Sequence, residues 1–153
     1  MSPKQPFDLS AAHRFFSADC FNQAWELLDK PDRTSEEDEQ MLRLNQASLW
    51  HWTQRDDCNG RNLSIGYWQA SRIHAVLGRA DEARRYAQLC LHHSRQQAPF
   101  FLAHAYEALA RAEQLAGNHA VVETYRAQAL QLAQAVADPD DRQLLMDDLN
   151  TII

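Results

Sequence analysis

The sequence predicts an all-α protein, and three observations carry that expectation. Of 153 residues, 23 are Ala, 18 are Leu and 14 are Gln, all good helix formers. Val, Ile and Thr contribute only 4 each, too few to pave the strands of a sandwich, a barrel or a doubly wound sheet. Gly and Pro number 4 and 5, so the frequent turns of such folds have no residues to make them.

Seven helices follow in order. The first is expected from about Asp8 or Ser10 to Leu28, with Ala12, Phe16, Cys20, Ala24 and Leu27 as its apolar stripe. Lys30-Pro31-Asp32-Arg33 ends it, because proline cannot continue the hydrogen-bond ladder. Thr34-Ser35-Glu36-Glu37 is a capping box, and the four acids from Glu36 to Glu39 suit the positive end of the helix dipole. Met41, Leu44, Ser48 and Trp52 mark the buried side of the second helix, which Asp56-Asp57-Cys58-Asn59-Gly60 closes.

The third helix spans about Asn62 to Leu77 on Leu63, Tyr67, Ala70, His74 and Leu77, and Gly78 stops it in a left-handed turn. The fourth runs from about Ala80 to Arg95 on Ala83, Ala87, Cys90 and Ser94. Pro99 opens the fifth at a position where its missing N–H costs nothing. That helix carries Leu102, Ala105, Leu109, Ala112 and Ala116 and ends at Gly117. The sixth holds Val122, Tyr125, Ala129, Leu132 and Val136. Asp138-Pro139-Asp140-Asp141 starts the seventh, whose Leu144, Leu145, Leu149 and Ile152 cap the array or, alternatively, make a dimer contact. No connection is long enough for an interdomain linker, so residues 1–153 read as a single domain.

The third and fourth helices match the fifth and sixth at an offset of 39, with Leu63/Leu102, Tyr67/Tyr106, Arg72/Arg111, Gly78/Gly117, Tyr86/Tyr125 and Leu91/Leu130 identical. Average composition would give about two or three identities over such a stretch. A helix-turn-helix unit at this period marks an α-solenoid. The expected architecture is a helical-repeat domain of three antiparallel helix pairs and a cap: 8–57, 61–97, 99–136 and 138–152.

Tyr67-x2-Ala70-Ser71-x6-Gly78-x4-Ala83 resembles the first half of a tetratricopeptide repeat, with an aromatic, a small residue, a glycine turn and an alanine. The second copy keeps Tyr106, Ala110, Gly117 and Ala129, with Val122 where alanine is usual. Arg95 and Gln134 stand at the closing proline positions, and the period is longer than the usual 34. The resemblance covers about 61–136 and implies a tetratricopeptide-like solenoid. In its register the first helix of each pair lines a concave face, which places Ile65, Trp68, Gln69 and Arg72 of the third helix beside His104, Glu107, Ala108 and Arg111 of the fifth. A wider resemblance rests on Phe21-Asn22-Gln23-Ala24-Trp25-Glu26-Leu27-Leu28-Asp29-Lys30, Trp68-Gln69-Ala70-Ser71-Arg72 and Ala105-Tyr106-Glu107-Ala108-Leu109-Ala110-Arg111-Ala112. These phrases are similar to an uncharacterised family of small bacterial proteins, which implies a bacterial cytosolic origin and no activity.

Charge and cysteine usage narrow the functional classes. The net charge of −6 disfavours nucleic-acid binding, which needs basic surface to neutralise phosphates. Residues 1–59 carry a net of −5, 60–137 a net of +3 and 138–153 a net of −4, so acidic ends flank an arginine-bearing middle. No run reaches the ~18 apolar residues of a membrane span, and Met1-Ser2-Pro3-Lys4-Gln5-Pro6 lacks an apolar signal core. Cys20, Cys58 and Cys90 are odd in number and dispersed, which fits a reducing cytoplasm.

No phosphate-binding glycine loop, GxSxG, HExxH or cysteine nucleophile motif occurs. His104-x2-Glu107 puts two ligating groups on one helix face, but the other histidines complete no set, so neither a metal nor another cofactor is expected. The first functional reading is a non-enzymatic module that holds a protein or peptide segment, of acidic character, in a groove of Trp68, Gln69, Arg72, His104, Glu107 and Arg111. Trp68 supplies apolar area and the arginines supply forked donors. The bland counterpart is an internal ion-pair ladder joining neighbouring helices. The second reading is a small-molecule-binding or catalytic pocket around His51, Trp68, Arg72 and Glu107, and the third is a homodimer. Trp25, Trp50, Trp52 and Trp68 are expected to fill the core or, where exposed, to mark a protein-binding surface.

Overall fold

Most helices begin where the sequence supplies a partner for the orphan N–H groups of a first turn. The computed structural model describes residues 3–153, and the described residues form seven α-helices and no strand. In α1 (Leu9–Asp29) the Asp8 carboxylate accepts from the Ala11 N–H at 3.0 Å. In α2 (Ser35–Thr53) the capping box is complete: the Glu37 N–H donates to Thr34 Oγ1 at 3.1 Å and the Thr34 N–H donates to Glu37 Oε2 at 2.9 Å. Asn59 and Asn62 make the same reciprocal pair ahead of α3 (Gly60–Val76). Then come α4 (Ala80–Ser94), α5 (Pro99–Ala116, proline in its first turn), α6 (His119–Ala133) and α7 (Pro139–Asn150), the last capped by Asp138. No helix among the described residues is long and apolar enough to cross a membrane.

The helices group into two compact units, one ending at Cys58 and the other starting at Asn59. The first is the α1/α2 hairpin, whose buried stripe keeps Cys20 and Ala24 as expected but differs in the first turns of α1. His13, Ser17, Cys20 and Ala24 face inward, while Phe16 is 44% exposed. In those turns the stripe moves by one residue because α2 offers polar partners. Ser48 Oγ donates to the Ser17 carbonyl at 2.6 Å, Arg55 donates to Ser17 Oγ at 2.9 Å, and His51 Nδ1 lies 2.8 Å from His13 Nδ1. A buried polar group with a partner is stable, and these contacts place Ser17 and His13 inside. Trp50, a candidate for the core, instead lies 56% exposed.

In the second unit α3 pairs with α4 and α5 with α6. The first helix of the second pair, α5, also packs against α3, α4 and α7. The internal repeat is visible in the geometry. Tyr67 stacks on Tyr86 at 6.1 Å between ring centroids and 24° between planes, and Tyr106 stacks on Tyr125 at 6.2 Å and 29°. Gly78 and Gly117 both have positive φ, at 75° and 83°. Behind each, a closing bond runs from the Arg79 N–H to the His74 carbonyl at 2.9 Å and from the Asn118 N–H to the Glu113 carbonyl at 3.0 Å, the six-to-one bond of a glycine-ended helix.

Small residues fill the joints. Ala103, Ala110, Ala129 and Ala133 pack with Val122, Leu145, Leu149 and Ile152 in one cluster, so α7 buries Leu145 and Leu149, Ile152 is buried just beyond its end, and Leu144 stays exposed. Two arginines from other helices hold the last carbonyls of α7, which has no basic residue in its own last turn. Arg126 donates to the carbonyls of Leu149 and Ile152 at 3.1 and 2.6 Å, and Arg111 donates to that of Asp148 at 2.9 Å, a placement that also complements the helix dipole. Between α3 and α4, Ser64 and Ser94 hydroxyls lie 2.6 Å apart, each 3.8 Å from the sulfur of fully buried Cys90. Burial pushes the Cys90 thiol up to about 11.

Candidate functional site

The stacking of α3 on α5 brings five of the six expected groove residues of this unit into one network. Trp68 and Glu107 are equivalent positions of the two repeats, and they meet: the indole N–H donates to Glu107 Oε2 at 3.0 Å. Arg72, one turn on from Trp68, donates from Nη2 to Glu107 Oε1 at 3.1 Å, with its guanidinium 5.1 Å from the Trp68 ring centroid. Arg111, one turn on from Glu107, donates to the same Oε1 from Nε at 2.9 Å and from Nη2 at 2.6 Å. Glu107 is 0% exposed, so its charge is balanced by two guanidinium groups at the site of burial, as a buried carboxylate requires.

The network extends to a residue that periodicity did not point to. Asp148 of α7 accepts from Arg72 Nη2 at 3.2 Å and lies 3.3 Å from His104 Nε2. His104 Nδ1 donates to the Phe100 carbonyl at 3.0 Å, and its ring meets Trp68 edge-on at 5.7 Å. Arg111 also donates to Thr151 Oγ1 at 2.7 Å. The arginines thus serve as the ion-pair ladder considered above, and α7 supplies the outer rungs. Gln69 is fully buried. His51 belongs to the first unit, where it lies against His13, Phe16 and Trp50.

Both bonds of Arg72 leave from Nη2, so the rest of its fork is uncommitted to these carboxylates, and the Arg72 and Arg111 side chains keep 16% and 17% exposure. Beside Arg111 lies an open depression of about 250 Å³, lined by Ala75 and Val76 of α3, Gln114 and Leu115 of α5, and Thr151 and Ile152. Val76 and Leu115 are exposed there. A second cleft, of about 420 Å³, lies in the first unit at the open end of the hairpin, with Leu9, His13, Arg14 and Arg55 among its walls. Arg55 is occupied there by a two-point pair with Asp57 and by stacking on Trp52. Among the described residues no group of three or more His, Cys, Asp or Glu is placed to hold a metal.

The titratable groups predict how stability depends on pH. The hydrogen bond from Arg84 holds the Glu113 carboxyl below its ordinary value, with Asn118 adding to the effect. Burial pushes the Asp148 carboxyl up, but the His104 hydrogen bond and the Arg72 charge outweigh it and leave it low. Each carboxyl therefore stabilises the fold fully above its unfolded value and loses that contribution as pH falls through the folded one. Burial also keeps His74, His51 and His93 below the ordinary imidazole value of 6.5. Their contribution is complete above 6.5 and is lost as pH drops through their lower folded values. Thermal melts run from neutral to acid pH should show a first decline below pH 6.5 and a second in the carboxylate range. Replacing His74, whose Nδ1 is buried without a partner, by Phe should shrink the first step only.

No protein-family model matches the chain, and neither the curated proteins nor the solved structures hold a significant match to it.

Proposed function

We propose that this chain is a cytoplasmic, tetratricopeptide-like interaction module without catalytic function, which takes a partner segment at the α3/α5 face. The observation that carries this reading is the depression beside Arg111. It joins exposed apolar side chains, Val76 and Leu115, to a guanidinium held in place by Glu107. An apolar anchor next to a fixed positive charge suits a segment that presents one apolar side chain beside a carboxylate. The repeated helix pairs, with equivalent tyrosine stacks and glycine turns, support the solenoid reading, and three free thiols fit a reducing compartment.

The role of the buried network in this reading is positioning. Glu107 fixes Arg72 and Arg111 at their rotamers, so the exposed edge of the face is rigid before a partner arrives. The test substitutes residues that carry no internal bond. Val76→Asp and Leu115→Asp should each abolish recovery of a co-purifying partner and its competition by a short acidic, leucine-containing peptide, with helix content unchanged by circular dichroism. Recovery and competition equal to the wild type in both variants would refute the proposed face.

A further inference from the structure

The first unit departs from the usual partition of side chains, although Cys20, Ala24, Met41 and Leu49 are buried as usual. It buries His13, Ser17, Asn45 and Ser48 and exposes Phe15 (60%), Phe16 and Trp50, whereas large aromatic groups are ordinarily the better buried class. The exposed rings are continuous. Phe15 meets Phe16 edge-on at 5.1 Å, Phe16 lies 5.4 Å from His51, and Trp50 lies 4.9 Å from His51 and 5.4 Å from His13. Leu9 and Phe7, at the start of the same helix, are exposed as well. We infer that this aromatic end of the α1/α2 hairpin is the interface through which two copies of the chain pair.

Three features favour a second copy as the occupant. The first is area. At 150–250 Å² for a whole aromatic side chain, Phe15, Phe16 and Trp50, with Phe7 and Leu9 from the start of the helix, together present about 500 Å² of exposed apolar surface, within the range for the largest patch of a monomer. Two such surfaces face to face bury at most about 1,000 Å², the lower bound for a specific interface, so the expected dimer is weak and concentration-dependent.

The second is charge. The acidic run Glu36–Glu39 opens α2 and Trp50 lies in its last turns, about 20 Å apart at the rise of a helix and about two screening lengths at physiological salt. At the aromatic end the rim carries both signs, Arg14 and Arg55 with Asp56 and Asp57. A two-fold pairing therefore sets opposite charges within reach and brings no single-sign field against itself. The third is order. The rings already brace one another and the two histidines, so little side-chain freedom remains to be lost on association. None of these residues belongs to the α3/α5 face, so either assignment can fail alone.

The test is sedimentation velocity on the full chain from about 1 to about 200 µM, where an interface of minimal size should begin to associate. The wild type should shift towards the dimer with concentration. Phe15→Ser and Trp50→Ser, both at exposed positions, should remain monomeric with unchanged helix content. A wild type that stays monomeric throughout overturns the inference, and so does a dimer that both variants retain. If the monomer instead binds phosphatidylcholine vesicles through Phe15 and Trp50, the surface faces lipid and the inference fails. Should a variant misfold, amide exchange on the wild type decides. Protection of 11–18 and 47–53 must rise with concentration, and a flat profile rejects the dimer.

Discussion

Replacing Glu107 with alanine should lower the unfolding free energy by about 3–5 kcal/mol, the usual cost of removing one partner from a buried charge network. The loss is not that of one contact. Glu107 accepts from Trp68, Arg72 and Arg111 at once and is fully buried. Without it two guanidinium groups lose their main counter-charge in a confined site. Water can reach both arginines in part, and Asp148 and Thr151 still accept from them, which places the expected cost towards the lower end. For a unit of this size that is a fall in thermal midpoint of at least about 10 °C.

A double-mutant cycle separates this account from a simple packing defect. Arg111→Ala should be costly in the wild type and far less so in the Glu107→Ala background, because its main carboxylate partner is already gone. Additive losses by urea titration would mean that the two side chains do not act on one another. This network also explains why Arg72 and Arg111 are poor targets for testing partner binding. Substituting either leaves a buried carboxylate underpaired, and lost binding would be confounded with lost structure.

The second large effect is expected at α7. Leu149→Ala should cost about 2–5 kcal/mol, since the side chain is buried in the core cluster that also holds Ala110, Val122 and Ala129, and the space it leaves cannot fully collapse. Leu144→Ala, five positions earlier in the same helix, should stay within about 0.5 kcal/mol because that side chain is exposed. The paired measurement is the urea midpoint at constant slope. Equal effects at the two leucines would mean that α7 does not dock through the face described. The comparison is sharp because both residues are leucines in one apolar run, and only the docking of the helix distinguishes them.

Those two leucines also show where sequence reasoning stopped. Helix starts were legible because a cap is local: Thr34 and Glu37, or Asp138 and the N–H groups after it, are neighbours in the chain and bond in the structure as their spacing implies. The repeat was legible for the same reason, since Tyr67/Tyr106 and Gly78/Gly117 each answer a local need that recurs at one offset. The candidate set on α3 and α5 could be assembled from that register. Asp148 could not, because its arrival at Arg72 depends on how Leu145, Leu149 and Ile152 seat α7 on the helices before it. The α1 stripe holds at Cys20 and Ala24 and differs by one residue at His13 and Ser17, for a related cause. A polar side chain looks like surface until its partner is known, and the partners of His13 and Ser17 lie on α2.

Buried Cys90 gives the second unit its own clock. Its thiol, walled in by Ser64 and Ser94 and held at about 11, is closed to alkylating reagents while the unit is shut, because the reactive thiolate is both scarce and inaccessible. Each modification at that sulfur therefore records an opening event. Peptide-resolved mass spectrometry can separate it from Cys20 and Cys58, so the native chain reports how often α3 and α4 part without any introduced label. The Glu107 and Leu149 substitutions can be ranked on that time axis as well as on the denaturant one.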